Sequence, residues 1–183
     1  MEMGCNVGIG TDGTASNNDL DFFEEIRLAS FIAKPTAEDP TVLPAKQVLA
    51  MATSIGAKAI HLGDLIGSIE PGKRADLILV DLDGIHNQPR FHRNPDSVYA
   101  QIIYAAKSTD VSDVMVNGKW LMKQRQLQTL NEKELIAEAR VVAENIDQFL
   151  RGREQSVHSK LIAIGGAAEE ESFEIQAKVP IDD

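Results

Sequence analysis

The chain has 183 residues, of which 43% are hydrophobic and 25% charged, and its formal net charge is −10 at pH 7. This length suits one or two domains, and the composition is ordinary for a globular protein. The acidic balance disfavours nucleic acid and anionic membrane surfaces as partners, because both need a basic patch. A single cysteine, Cys5, excludes an intrachain disulfide and fits a reducing compartment. We therefore expect a cytoplasmic protein with no signal peptide and no membrane-spanning segment.

The N-terminal segment is predicted to form a short buried strand from Cys5 to Asp12. Gly8 and Gly10 share one face of this strand with Asp12, which suits a crowded barrel interior with a carboxylate at its mouth. Cys5 is expected to be buried there and to serve in packing. An apolar strand that ends in a carboxylate, then a turn and a helix, is how a parallel barrel presents a catalytic acid.

Helices are predicted from the 3.6-residue period of apolar side chains and from terminal signals. The first is capped by Asn18 or Asp19 and stopped by Pro35. The second begins at Pro44, and Gly56 ends it in a left-handed cap. The helical segments are expected at residues 20–34, 44–56, 57–62, 95–106 and 132–150, with Gly152 ending the last of them.

After residue 65 the apolar period changes to two, which predicts a small sheet. Glu70-Pro71-Gly72-Lys73 has proline and glycine in the order of a type II turn. Asn117-Gly118 is a strong hairpin signal, because both central positions of that turn need a positive φ. Strands are expected at residues 75–82, 111–116 and 119–122, and a further alternation occurs at 173–179 beyond an acidic, linker-like run.

Other motifs are interpreted as structural. The pattern Gly8-x-Gly10-x-x-Gly13 matches a dinucleotide-binding fingerprint in its letters, but Asp12 inside that loop would repel a pyrophosphate. The histidines contain no His-x-His or i, i+4 pair, so a structural role is favoured over metal binding; they are His61, His86, His92 and His158. From the residues alone, Asp12 is equally well a turn aspartate before a helix or a metal ligand and general base at a strand end.

Gly10 to Asp21, with the pattern Gly-Thr-Asp-Gly-x-x-Ser-Asn-Asn-Asp-Leu-Asp, resembles the last barrel strand of the amidohydrolase superfamily. Residues 66–81 resemble the segment in which such enzymes return to a small β-sandwich, and residues 111–118 resemble the closing hairpin of that domain. The branch that the chain resembles is that of the methylthioadenosine/S-adenosylhomocysteine deaminases and related chlorohydrolases. The resemblance covers about residues 4–150.

This resemblance implies an α/β fold, namely the C-terminal end of a (β/α)8 TIM-type barrel plus part of a small β-sandwich domain. Residues 1–65 would form the last strand and helices of the barrel. Residues 66–130 would form part of the β-sandwich, with a helix crossing back to the barrel. Residues 131–152 would be a C-terminal helix, and residues 153–183 form a tail without an assigned role.

The resemblance also implies a divalent metal, usually zinc, and hydrolysis of a ring C–N bond by deamination of an adenosine-type thioether. Asp12 would be a metal ligand and the catalytic proton carrier, and Ser16, Asn17 and Asn18 would shape the turn behind it. The substrate would be a small molecule, and we expect the complete enzyme to be a homo-oligomer. A chlorohydrolase acting on a heteroaromatic ring and a non-enzymatic fragment are the alternatives.

The family's remaining metal ligands have no counterpart in this sequence. A catalytic zinc needs about three protein ligands, and the resemblance supplies one. We therefore expect the partner of this chain to be a missing N-terminal barrel portion. The chain alone is expected to be inactive and unable to bind zinc tightly.

Overall fold

The computed structural model describes residues 4–91 and 93–165, with side chains as far as Arg153. The chain divides into two units, Met1–Leu130 and Asn131–Asp183. His92 and the alternating segment at 173–179 lie outside the described residues, as does the acidic run at 169–171.

Helices dominate the first half of the first unit, as predicted. The described helices are α1 (Thr14–Asn17), α2 (Phe22–Thr36), α3 (Ala45–Ala52), α4 (Ser54–Ala59) and α5 (Ser97–Ala100), with a π-helical turn at Gln101–Ala105 and 3-10 turns at Ile85–Asn87 and Ser108–Asp110. The second unit contains helix α6 (Glu132–Gly165).

Helix α2 is capped by Asp21 rather than by either residue proposed from the sequence, Asn18 or Asp19. The Asp21 carboxylate accepts hydrogen bonds from the backbone N–H groups of Phe23 at 2.9 Å and of Glu24 at 3.3 Å. This satisfies two of the N–H groups that a helix start leaves without partners. All three candidate caps are short polar residues, so the sequence alone did not separate them.

Two predicted helix stops in the first unit are wrong. Helix α2 includes Pro35 in its last turn and ends one residue later. Gly56 lies inside α4, because the chain breaks earlier, at Thr53, whose φ of −129° and ψ of −97° are not helical. A Cβ at position 56 would lie 2.5 Å from the carbonyl oxygen of Met51, and one on Gly8 would lie 3.3 Å from the Cα of Gly56. The glycine at position 56 is therefore explained by close packing of the backbone and not by a role in capping a helix.

The core lies where α2, α3 and the π-helical turn meet. Ile103 and Val48 are fully buried, and Ile26 is 3% exposed. Arg27 of α2 donates hydrogen bonds to the backbone carbonyls of Ile103 and Ala106, which lie at the end of the π-helical turn. These carbonyls would otherwise lack the partners that a continuing helix provides.

Four antiparallel strands form one sheet in sequence order, with the hairpin at Asn117-Gly118 confirmed by φ values of 49° and 76°. The turn at Pro71-Gly72 also has the expected geometry, since Gly72 has a φ of 93° and the N–H of Lys73 donates to Glu70 at 3.2 Å. The strands are β1 (Leu77–Val80), β2 (Val111–Val116), β3 (Lys119–Lys123) and β4 (Gln126–Leu127).

Residues 4–13 pair with no strand of the described chain. A strand of a parallel barrel needs a neighbour to complete its hydrogen bonds, and the described residues supply none to the segment predicted from Cys5 to Asp12. Cys5 is exposed, so the expectation that it packs inside a strand is wrong here.

Helix α6 is longer than predicted. It passes through Gly152, the expected stop, and includes residues 153–165 of the segment that had no assignment. Its apolar side chains are exposed, among them Leu135 at 43% and Phe149 at 64%. Charged residues are interspersed with the apolar residues of α6. No described helix is apolar over a length that could cross a bilayer.

Candidate functional site

Asp12 lies in the loop before α1 with a positive φ of 60°. Its Oδ1 atom accepts a hydrogen bond from the N–H of Gly13 at 2.7 Å, and its backbone carbonyl accepts one from the Thr11 hydroxyl at 3.1 Å. Aspartate tolerates this left-handed conformation better than most residues, because its short polar side chain bonds locally. Asp12 is exposed, so its carboxylate is accessible to groups from outside the loop.

The three polar residues predicted to support Asp12 occupy different positions. The side-chain amide of Asn17 donates to the carbonyl of Thr11 at 2.9 Å, directly before Asp12. Ser16 contributes its backbone, whose N–H donates to Gly13 at 2.9 Å. Asn18 ends α1 with a φ of 66°. Among the described residues, Asn17 is thus the one of the three whose side chain contacts the Asp12 loop.

Glu25 is a residue of this loop network that sequence reasoning missed. The Asn17 amide that contacts the Thr11 carbonyl also donates to Oε1 of Glu25 at 2.7 Å. In the sequence, Glu25 reads as a first-turn acid that complements the dipole of α2. Nothing in the spacing of eight residues between Asn17 and Glu25 signals that the two side chains meet.

A second polar cluster surrounds Asp110, which is 6% exposed. Its Oδ2 atom bonds to Nε2 of His86 at 2.7 Å and accepts from the backbone N–H of Lys107 at 2.9 Å and from Nδ2 of Asn87 at 3.4 Å. Burial alone would raise the pKa of Asp110, but these three hydrogen bonds together hold that pKa below its ordinary value. His86 therefore has a structural partner, which agrees with the interpretation of the histidines as structural.

The described residues do not form a metal site by themselves. Within residues 4–91 and 93–153, no three His, Cys, Asp or Glu side chains are placed to hold an ion. Asp12 offers one oxygen ligand, whereas catalytic zinc needs about three protein ligands. His86 is occupied by Asp110, and His61 is exposed in a turn with a φ of 60°.

An open groove of about 770 Å³ runs between α2 and the loop that leads into α3. It is mainly apolar and contains none of the predicted site residues. Its walls include Ala29, Ile32, Ala33, Val42, Leu43 and Pro44. The groove has no group suited to catalysis, so Asp12 remains the candidate centre of chemistry in the described chain.

Comparison with known proteins gives this loop its context. Residues 1–121, which include the whole Asp12 loop, match the model of the amidohydrolase family. The chain belongs to the amidohydrolase family. A 5-methylthioadenosine/S-adenosylhomocysteine deaminase of Moorella thermoacetica is 49% identical to this amidohydrolase chain over 138 residues, 75% of this chain and 31% of that protein. The predicted resemblance to this branch, as a C-terminal portion, is confirmed.

Solved structures of amidohydrolases match over a similar part of the chain. An adenosine deaminase from Xanthomonas campestris with bound zinc has a TM-score of 0.73 and 47% sequence identity, over 78% of this chain and 31% of that one. A zinc complex of an atrazine chlorohydrolase from Arthrobacter aurescens has a TM-score of 0.66 and 28% identity, over 76% and 30% of the two chains. The chain thus spans about a third of the length of the relatives that it matches.

Proposed function

We propose that this chain is the C-terminal part of a metal-dependent amidohydrolase that deaminates an adenosine-type thioether such as 5-methylthioadenosine or S-adenosylhomocysteine. The observation that carries the proposal is the 49% identity with the Moorella thermoacetica deaminase over 138 residues. The adenosine deaminase of similar structure contains bound zinc, which supports zinc as the divalent metal of this proposal. In this proposal a missing N-terminal barrel portion supplies the other metal ligands, and the complete enzyme is a cytoplasmic homo-oligomer.

Asp12 is the catalytic carboxylate in this proposal and contributes one metal ligand. Replacing a ring amino group by oxygen requires water to lose a proton and the departing ammonia to gain one. The Asp12 carboxylate is accessible and has one local hydrogen-bond donor, the N–H of Gly13 at 2.7 Å. It is thus able to accept the proton of water and later deliver it to the leaving nitrogen. Asn17 supports this role by fixing the backbone before Asp12.

The proposal is tested by replacing Asp12→Asn in the complete enzyme. Asparagine keeps the size and tolerates the positive φ, so the change removes the proton acceptor with little change to the backbone. We expect kcat/KM for 5-methylthioadenosine to fall about 10²- to 10⁴-fold, the usual contribution of general acid–base catalysis. Ammonia release measures the rate. The matched control is Asp19→Asn, an exposed aspartate between α1 and α2, which should leave kcat/KM unchanged.

A substrate panel separates the deaminase from its alternatives. The similarity to the Arthrobacter aurescens chlorohydrolase favours, as a second candidate, displacement of chloride from a heteroaromatic ring. The panel therefore contains 5-methylthioadenosine, S-adenosylhomocysteine and atrazine, with ammonia and chloride measured separately. Chloride release without ammonia release would replace the deaminase by the chlorohydrolase. Absence of both products from the metal-loaded complete protein would leave a non-enzymatic role.

A further inference from the structure

We propose that Glu25 is a positioning residue for the Asp12 loop, acting through Asn17. The inference deepens the proposed function and rests on it. Glu25 itself is placed to contact neither substrate nor metal in this proposal. Glu25 holds the side-chain amide of Asn17, and that amide in turn holds the Thr11 carbonyl next to the Asp12 carboxylate.

The geometry is a chain of two hydrogen bonds that share one amide group. Nδ2 of Asn17 donates to Oε1 of Glu25 at 2.7 Å and to the carbonyl oxygen of Thr11 at 2.9 Å. Both partners are acceptors, so the NH₂ side of the amide must face them and its orientation follows from the contacts. An amide NH₂ has two hydrogens, and this arrangement uses both of them.

Glu25 connects a very short helix, α1, to a long helix that is anchored in the core, α2. Helix α1, which carries Asn17, has four residues, far too few to be stable without tertiary contacts. Helix α2, which carries Glu25, has fifteen residues, and its neighbouring side chain Ile26 is 3% exposed in the core. The bond between Asn17 and Glu25 therefore transfers the rigidity of α2 to the loop.

The charge of Glu25 makes the link stronger than a neutral contact. The hydrogen bond from an amide to a carboxylate is charge-assisted, and the short 2.7 Å distance agrees with this. Both residues are partly buried, so water competes less for the bond than at a fully exposed site. Without the carboxylate, the Asn17 amide is free to rotate away from Thr11, and residues 11–13 lose their outer support.

The test compares Glu25→Ala with Glu25→Gln in the complete enzyme. Alanine removes the acceptor, so we expect kcat to fall about 10- to 100-fold with KM within about twofold, because misplacement of a catalytic group by about 1 Å costs rate on this scale. Glutamine retains a carbonyl oxygen that accepts from Asn17, so most of kcat should return. The matched control is Glu24→Ala, which removes the same charge from the same helix turn at an exposed position and should leave kcat unchanged.

Two kinetic outcomes overturn the inference. If Glu25→Ala and Glu24→Ala lower kcat equally, the effect is one of helix charge and not of positioning. If Glu25→Gln is as slow as Glu25→Ala, the acceptor is not what matters. A merely destabilising change would lower the active fraction for all substrates and would not be rescued by glutamine.

A measurement of the contact itself in the complete enzyme keeps this inference distinct from the proposed function. The side-chain amide protons of Asn17, observed by NMR, should exchange with water faster in Glu25→Ala than in wild type or Glu24→Ala. Unchanged exchange overturns the positioning link whatever the enzyme does. Slow exchange that Glu25→Ala abolishes, with no deaminase turnover by the wild-type enzyme, leaves the link standing as a contact and refutes the function that it was proposed to serve.

Discussion

At the scale of single residues, Asp110 shows how a buried carboxylate is made tolerable. Its three hydrogen-bond donors come from His86, Asn87 and the backbone of Lys107. They join the 3-10 turn at Ile85–Asn87 to the 3-10 turn that ends at Asp110, directly before β2. A buried charge without such partners is costly. The cluster therefore adds polar contacts at the entry to the sheet, next to Val111, which packs against the apolar core.

The first prediction concerns the pH dependence of stability. The folded-state pKa of Asp110 is lower than its ordinary value of 3.8, so the unfolded chain binds more protons in the window just below pH 4. Asp110 should therefore contribute stability that is fully present above this window and is lost as pH falls through the folded pKa. Asp110→Ala should lower the free energy of unfolding at neutral pH by about 1–3 kcal/mol and flatten this part of the acid dependence.

Urea unfolding, followed by the fluorescence of Trp120 in β3, measures this contribution, since the chain has one tryptophan. Asp64→Ala is the control, because Asp64 is an exposed aspartate of the same unit. Equal acid dependence in Asp110→Ala and wild type would show that the hydrogen bonds at Asp110 do not favour its charged form.

Single residues also show which parts of the candidate site can be predicted from the sequence. Asp12 is a candidate from the sequence because the motif that carries the family resemblance is local: a carboxylate, a turn and a helix follow one another within a few residues. Glu25 and the pairing of His86 with Asp110 were missed, because those contacts join positions 8 and 24 residues apart. Periodicity and motif spacing carry no information on such pairs, which arise from how the elements pack.

At the scale of elements, the two tight hairpins show when a turn can be predicted from its residues and when it cannot. The turn between β2 and β3 uses Asn117-Gly118, the residues that its positive φ values favour, and was predicted. The turn between β3 and β4 uses Gln124 and Arg125 with φ of 50° and 61°, which no propensity favours. Strand β4 was therefore missed, because pairing with β3 overrides the local preference of those two residues.

The second prediction is that alanine substitution at two glycines changes stability in opposite directions. Gly56→Ala should destabilise the fold by about 1–3 kcal/mol, the usual cost of overpacking, because the new Cβ would lie 2.5 Å from a backbone oxygen of Met51. Gly152→Ala in α6 should instead stabilise its helix by about 0.5–1 kcal/mol, since a Cβ there meets nothing within 4 Å.

Thermal unfolding followed by far-UV circular dichroism checks both substitutions. A lower midpoint for Gly56→Ala and a higher helical signal at each temperature for Gly152→Ala are expected. If Gly56→Ala raised the midpoint, Gly56 would behave as an ordinary helix glycine, and the close approach of Gly8 to α4 would not constrain it.

At the scale of the whole molecule, the described chain exposes many large apolar side chains. Ile85 is 88% exposed, Ile69 87% and Phe91 70%, and the apolar side of α6 is exposed as well. Exposed apolar side chains that group into patches mark places where protein normally meets protein. The amidohydrolase relatives are about three times as long as this chain, which is consistent with a surface that the remainder of such a protein covers.

The third prediction is that the isolated chain self-associates. We expect a sedimentation coefficient that rises with protein concentration and strong binding of an apolar fluorescent dye. The net charge of −10 opposes association, so added salt should strengthen it by screening the repulsion between copies. A monomer at every salt concentration, with no dye binding, would contradict this prediction.

The left-handed backbone at Asp12 has a consequence for how variation at this position should be interpreted. In a selection that scores only folding, Gly and Asn should be accepted there more readily than Ala, and Ala more readily than Val or Ile, because β-branched side chains fit a φ of 60° worst. Agreement of the observed acceptance with this order reports the backbone conformation of the loop. Chemistry at position 12 is revealed by the difference between Asp and Asn, two residues that the backbone hardly distinguishes.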